Sequence, residues 1–362
     1  MRVRFSDVLN IINGKNQKQV ENPNGKYPIY GSGGIMGYAD SYICEPNTVI
    51  IGRKGSINKP IYVEVPFWNV DTAFGLYADK SKLIPKYLYY FCEKFDFEKL
   101  STTVTIPSLT KANLLDIEMQ LPPLDEQYRI VGVLDKVCGL IVKRQSQLNM
   151  LDELVKSRFI EMFGDPVQNP KGWVKKPFLS MGNCKNGMNF HYEDVGIEIH
   201  CLGVGDFKDL TVIDNAEKLP KVSLNKMPSE EYLLKDGDIV FVRSNGNKAL
   251  VGRSVAVYPS NVPTTFSGFC IRYRKTDDAI LAPYLLRVLK ADSMRQKMVG
   301  RGANIQNLNQ QILETLEIPV PSIELQNQFA AFVQQTDKLE FAIQKTLKKT
   351  QLLFDRAGKT EN

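Results

Sequence analysis

Histidine is nearly absent from this chain: 362 residues contain two, too few for the imidazole-based metal and acid–base sites of many enzymes. The six cysteines, at positions 44, 92, 138, 184, 201 and 270, never fall into a C-x-x-C pair, which argues against a structural zinc site or a disulfide framework. Long apolar runs are missing as well. No segment approaches the roughly 18 apolar residues of a membrane span. The opening "MRVRFSDVLNIINGKNQ" has no apolar stretch of signal-peptide length, so a cytoplasmic location and no membrane contact are expected. Phosphate-loop signatures are also lacking. The glycine run "YGSGGIMG" (Tyr30 to Gly37) carries Met36 where G-x-G-x-x-G requires glycine, and the full G-x-x-x-x-G-K-[ST] pattern does not occur.

What is present is the composition of a globular protein, 43% apolar and 24% charged, at a length that suits two domains with their own cores. The net charge of +6 is modest and unevenly spread. From Ile239 to Thr276 there is no carboxylate, yet Arg243, Lys248, Arg253, Arg272, Arg274 and Lys275 are there. A shorter acid-free window, Pro46 to Val63, holds Arg53, Lys54 and Lys59. Such windows suit a polyanion such as nucleic acid, and they also arise in buried sheets.

The chain repeats itself. "LPPLDEQYRIVGVLD" (Leu121 to Asp135) returns as "VPSIELQNQFAAFVQ" (Val320 to Gln334), and "IPSLTKANLLDIEM" (Ile106 to Met119) lies over "IQNLNQQILETLEI" (Ile305 to Ile318), all at one offset of 199 residues. After Leu124 apolar residues fall at Ile130, Leu134, Val137, Ile141, Leu148, Leu151, Val155 and Met162, with Arg144 and Arg158 in the two vacant places of a heptad seam. Pro122 and Pro123 set the start, Asp125 and Glu126 place negative charge in the first turn, and "FGDP" supplies the stop. The pattern predicts one helix of about 40 residues, roughly 60 Å long. The second copy shows Phe329, Phe332, Val333, Leu339, Ile343, Leu347 and Phe354. A narrow stripe of this length needs a partner, and the other repeat is the obvious one. If the two helices pair, an antiparallel arrangement places the globular blocks at opposite ends. The arginines in the seam are assigned to register.

The two blocks share a plan. "NTVIIGRKGS" (Asn47 to Ser56) matches "GDIVFVRSNG" (Gly237 to Gly246), each a β-rich run delivering an arginine, Arg53 or Arg243, into a glycine-containing turn. More strand-like runs follow, and then a helix opened by Pro85 or Pro283. Ser108 and Asn307, ahead of the short helical runs in the two copies, are expected to cap them.

The "LPPLDEQ" helix entrance, the "GRKGS" and "GDIVFVRSNG" turns and the duplicated plan make the whole chain resemble the specificity subunit of type I restriction-modification systems. The second entrance is degraded, with Ser322 for the second proline and Leu325 for the glutamate. The resemblance implies an α+β fold of two mixed α/β target recognition domains (residues 1–121 and 165–320) separated by two long antiparallel helices (122–164 and 321–362), a coiled-coil spacer with an internal pseudo-twofold repeat. It implies a chain without catalysis or cofactor of its own. S-adenosylmethionine would reside on two methyltransferase subunits docked to it and ATP on restriction subunits, while double-stranded DNA is read as an asymmetric bipartite target. The residues agree. Asn-Pro pairs occur only as "NPNG" and "NPKG", so the N-P-P-Y type turn that holds a flipped base is absent. A fragment of a fused restriction-methyltransferase enzyme and a non-DNA coiled-coil adaptor are the alternatives.

Candidate DNA contacts are Arg53, Lys54, Ser56 and Lys59 in the first block and Arg243, Ser244, Asn245, Asn247, Lys248 and Arg253 in the second. Arginine pairs bidentately with guanine, asparagine with adenine, and lysine suits phosphate; base and phosphate stay open for each. Tyr30 and Ser32 belong to a glycine turn that lets backbone approach a duplex or is an ordinary tight turn. His191 and Tyr192, after Phe190, sit in an aromatic-polar stretch, and Arg301 and Asn304 in "GRGAN" are candidates for phosphate. Partner docking is assigned, on the resemblance, to Leu121, Pro122, Pro123, Leu124 and Gln127 and to Val320, Pro321, Ile323 and Gln326.

Overall fold

The computed structural model describes residues 1–100, 108–190, 196–207, 212–299 and 307–357. The chain divides into two compact units, Met1–Gln147 with Ile343–Asn362, and Leu148–Ala342, so each long helix is shared between units rather than forming a segment of its own.

In the first unit β1 (Arg2–Arg4) and the single turn α1 (Phe5–Val8) lead into β2 (Leu9–Asn13), followed by the hairpin β3 (Tyr27–Gly31) and β4 (Gly34–Ala39). Then come β5 (Thr48–Gly52), β6 (Ile61–Val63), β7 (Trp68–Asn69), β8 (Ala73–Ala78), α2 (Pro85–Lys94), the short α3 (Lys111–Leu115) and β9 (Glu118–Gln120), which ends at α4 (Leu124–Phe163). The strands form a four-stranded sheet in the order β2-β8-β5-β6 and a three-stranded sheet β4-β3-β7, in which β3 and β7 are parallel. β1 pairs with β9.

The second unit contains β10 (Lys175–Pro177), β11 (Gly182–Asn186), β12 (Ile197–Leu202), β13 (Val212–Ile213), β14 (Lys221–Leu224), β15 (Asp238–Val242), β16 (Ser254–Val257), β17 (Thr264–Phe266) and β18 (Cys270–Lys275). Helices α5 (Ala282–Lys290), α6 (Asp292–Val299) and α7 (Gln310–Glu314), strand β19 (Glu317–Pro319) and helix α8 (Ile323–Ala357) complete it. Its sheets are β11-β18-β15-β16-β13 and β14-β12-β17, with β12 and β17 parallel, and β10 pairs with β19. Strand for strand this is the first unit's topology with β13 added at one edge. The duplication read in the sequence is therefore a duplication of fold.

Period-two side-chain alternation puts both faces of the central strands to use. Ile239 and Phe241 of β15 join the core that holds α5, while Val240 and Val242 join the core on the opposite face. In the first unit Val49 and Ile51 of β5 face one core and Ile50 another. Both strands are buried along their whole length, which is why each can hold the turn that follows it rigidly.

Helix α4 runs for 40 residues, and Gly164, at φ 78°, ends it in the left-handed conformation that glycine adopts without strain. Within the first unit Phe354 of α8 clusters with Val131 and Leu134 of α4. Within the second, Phe329 and Val333 of α8 cluster with Val155, Phe159 and Phe163. The late part of one helix meets the early part of the other in each unit, so the helices run antiparallel there. Two expectations about the seam need correction. Phe159, not Arg158, is buried near the end of α4, because a helix packed on a domain buries a wider stripe than a coiled-coil seam does. In α8, Leu339 is exposed and Thr336 takes the buried place. Arg144 and Arg158 bond to Gln147 and Glu161 on their own helix, three residues along.

Candidate nucleic-acid interface

The two arginine turns leave buried strands and are held in the same way. Arg53 donates its backbone N–H to Thr72 O (2.8 Å) and accepts from Leu109 N–H (3.0 Å). Arg243 donates to Phe269 O (2.8 Å) and accepts from Leu308 N–H (2.8 Å). The following residues, Lys54 and Ser244, bridge Ser108 and Asn307. The expected caps are thereby corrected: Ser108 and Asn307 tie the turns, while Thr110 and Asn309 cap α3 and α7, accepting from Asn113 N–H (3.2 Å) and Ile312 N–H (2.9 Å).

In the first unit the arginine turn lies beside the β3–β4 hairpin. A Cβ on Gly52 would come within 2.5 Å of Ser56 O and 3.0 Å of Ser32 Cβ, so only glycine lets the hairpin and the turn meet. That contact gathers Ser32, Arg53 and Ser56 into one place, with Lys54 exposed beside them. The Arg53 guanidinium lies 5.7 Å from the Phe74 ring centroid. Lys59 is exposed, two residues past the buried Ile57. Tyr30 packs edge-on against Phe67 at 5.4 Å, as part of the core margin rather than of the turn. Ile35 and Met36, next to the hairpin tip, are exposed apolar side chains that sequence reading passed over.

In the second unit Arg243 sits over the turn Ser267 to Phe269, its guanidinium 3.4 Å from Gly268 O. Asn245 accepts from Asn247 N–H (2.7 Å) and Asn247 from Ala249 N–H (3.0 Å). Pairing bidentately with adenine requires the oxygen and the amide of one side chain together, and both oxygens here are engaged in shaping the turn. Lys248 is exposed, whereas Arg253 faces a cavity lined by α5 and α6. Phe269, missed in the sequence, is 61% exposed and bonded through its backbone to Arg243. A bulky aromatic after Ser-Gly and before a strand was the available signal. His191, Tyr192, Arg301 and Asn304 lie outside the described residues.

Half of the acid-free window is internal. Arg274 forms a two-pronged pair with the buried Asp238 carboxylate at 2.8 and 2.7 Å. Arg272 is 3% exposed and donates to Asn183 (2.9 Å); burial foremost, and then Arg274, lowers its pKa. Lys275 pairs with Asp278. The surface cations are thus narrowed to those around the arginine turn.

The helix entrances also correspond. Gln127 accepts from Ile84 N–H (2.8 Å) and donates to Lys82 O and Pro122 O (2.9 Å each). Gln326 accepts from Leu281 N–H (2.8 Å) and donates to Ala279 O and Pro321 O (2.9 Å each). Both side chains are fully buried, so they do not lie on a surface that a partner meets, which corrects that part of the docking expectation. Pro321 is buried too, while Pro123 is exposed and Leu121, Pro122, Leu124, Val320 and Ile323 are half-buried. Among the described residues no His/Cys/Asp/Glu group has a metal-binding arrangement, and no helix is long and apolar enough to cross a membrane.

Residues 1–150 and 204–352 match the family model described as the type I restriction modification DNA specificity domain. Among curated proteins the chain is 24% identical over 327 residues to the StySPI specificity subunit of Salmonella potsdam, covering 82% of this chain and 69% of that one. It is 22% identical over 378 residues to the MjaVIII specificity subunit of Methanocaldococcus jannaschii, covering 93% and 86%. The fold is shared with the crystal structure of the type I S subunit from M. genitalium, at TM-score 0.62 and 17% identity over 99% of this chain and 95% of that one. A chain from a structure concerned with assembly of the type I system aligns with TM-score 0.58 and 16% identity over 99% and 96%.

Proposed function

Because the chain belongs to the type I restriction-modification DNA specificity family, we propose that it is the sequence-recognition subunit of such a complex, reading one half of a bipartite DNA target with each unit. The observation that carries this is the pair of arginine turns. Two unlike sequences hold Arg53 and Arg243 through the same backbone bonds, to Leu109 and Leu308, at the ends of fully buried strands. A rigid strand that delivers a cation into a turn, with different neighbours in the two units, suits two readers of unlike sequence. Lys54, Ser56 and Lys59 surround one turn, and Lys248 and the exposed Phe269 the other. Phe269 suits apolar contact with a thymine methyl or a base step.

The chain would not itself be catalytic. It would dock two methyltransferase subunits bearing S-adenosylmethionine, with ATP-dependent restriction subunits in the full complex. On α4 in the first unit, Tyr128 and Val142 are 65% and 70% exposed, and side chains at Gly132 and Gly139 would meet nothing. With Asp135 midway between Tyr128 and Val142 on the same face, the surface is mixed rather than apolar, and its small residues suit close approach of a helical partner. The test is to co-express the chain with its methyltransferase and map modified positions by sequencing. An asymmetric, interrupted motif, lost when this chain is omitted, is the expected result. Methylation by this chain alone with S-adenosylmethionine would favour the fused-enzyme reading. Absence of salt-sensitive duplex binding would favour the adaptor.

A further inference from the structure

The turn Ser267 to Phe269 joins β17 to β18 and is clamped from both sides. On one side Gly268 donates its backbone N–H to Met188 O (2.6 Å), Met188 to Phe266 O (3.0 Å) and Gly187 to Cys270 O (3.0 Å). On the other, Arg243 and Ser244 both donate to Phe269 O, at 2.8 and 3.3 Å. Within the turn Cys270 donates to Ser267 O (2.8 Å) and Phe269 to the Ser267 hydroxyl (3.3 Å). The backbone is fixed, yet the Phe269 side chain stands 61% exposed beside the Arg243 guanidinium. Single exposed apolar residues are common on protein surfaces. This one is set on a braced turn, next to the cation of the arginine turn. The first unit has the same joint with a different occupant. Arg53 donates to Thr72 O at 2.8 Å, so the exposed Thr72 holds the place of Phe269. At this position one unit offers a short hydroxyl-bearing side chain and the other a large apolar one.

Resting on the reading of the chain as a DNA-recognition subunit, we infer that Phe269 is a specificity-determining residue, which packs on the C5 methyl group of one thymine in the half-site read by the second unit. A guanidinium finds guanine O6 and N7 in the major groove, and the apolar group displayed in that groove is the thymine methyl. A phenyl ring fixed next to Arg243 is brought to the same side of the base pairs. An unstacking wedge works from the minor groove, where those guanine atoms are out of an arginine's reach. Because the turn is already ordered and the phenyl side chain has only two torsions, little freedom is lost when the contact forms. Thr72, with no ring to lay on a methyl, gives the first unit a different preference at the equivalent place.

The test uses the chain co-expressed with its methyltransferase and duplexes carrying the motif mapped by sequencing. Each thymine in turn is replaced by uracil, which pairs alike and lacks only the methyl. In the wild type one replacement, in one half-site, is expected to weaken binding about fourfold, the effect of leaving one methyl-sized group unburied. Phe269→Ala is expected to bind the unmodified duplex more weakly by at least that factor and to bind the uracil duplex equally well. Thr72→Ala is expected to keep the wild-type sensitivity. Thermal melting of Phe269→Ala is expected to match the wild type, since the side chain is exposed, and this separates a lost contact from a lost fold. A motif without thymine in the half-site concerned, no uracil effect in the wild type, or an effect that survives in Phe269→Ala overturns the inference. If no motif depends on this chain, the recognition reading fails and takes the inference with it; a mapped motif without the methyl effect removes the inference alone.

Discussion

Gln127 and Gln326 show how a single side chain holds a domain to a helix. Each amide satisfies one N–H and two carbonyls at the junction of its helix entrance with the start of α2 or α5. Replacement by leucine strands those groups, at about 1–3 kcal/mol for each one left without a partner. Gln127→Leu and Gln326→Leu are expected to lower stability by similar amounts in denaturant titrations, and a difference of several-fold would contradict the equivalence of the two junctions. Arg243→Ala should relax recognition of one half-site alone, read from the sequence logo of methylated sites. The cysteines give a further expectation. Burial pushes the thiols of Cys44, Cys184 and Cys201 up to about 12, and those of Cys92 and Cys270 higher still. Thiolate is the nucleophile, so iodoacetamide at neutral pH is expected to spare these five until the chain unfolds, while the half-buried Cys138 reacts first in peptide mapping.

At the level of elements, the long helix from Leu124 was legible because its stop, its acidic first turn and its spacing all agree. Its buried face was legible only in part. A heptad template places Arg158 on the seam, but Phe159 packs edge to face with Phe329 at 5.6 Å and lies 5.8 Å from Tyr284. A neighbouring domain widens the stripe, and that domain is remote in sequence. Phe159→Ala is expected to cost about 3–5 kcal/mol, seen as earlier melting of the second unit's amides in hydrogen exchange. The parallel strands β7 and β17, two and three residues long, left no periodic trace. The caps were displaced by two residues because Ser108 and Asn307 have the right chemistry for capping and are used in strand bridges instead. The arginine turns were legible from composition. The buried cations behind them were not, since Asp238 lies one residue outside the acid-free window and closes on Arg274 across the sheet.

On the scale of the whole molecule, the proposed function rests on the duplication. Two sheets of the same strand order recur, yet the side chains at the turns differ, with Lys54 and Ser56 in one unit against Ser244 and Asn245 in the other. Duplex affinity is expected to fall with added salt at a log–log slope of about 0.9 per neutralised phosphate. Arg53→Ala combined with Lys54→Ala should shallow that slope; an unchanged slope in filter binding would remove these residues from the interface.

Strands β1 and β9 in one unit, and β10 and β19 in the other, bring the first and last residues of each domain side by side. A module whose two ends are neighbours is a cassette: it leaves the frame by cutting the chain at adjacent points, and another of different length slots in without stretching the scaffold. New DNA specificities would then arise by recombination of whole halves, faster than by substitution of single contacts.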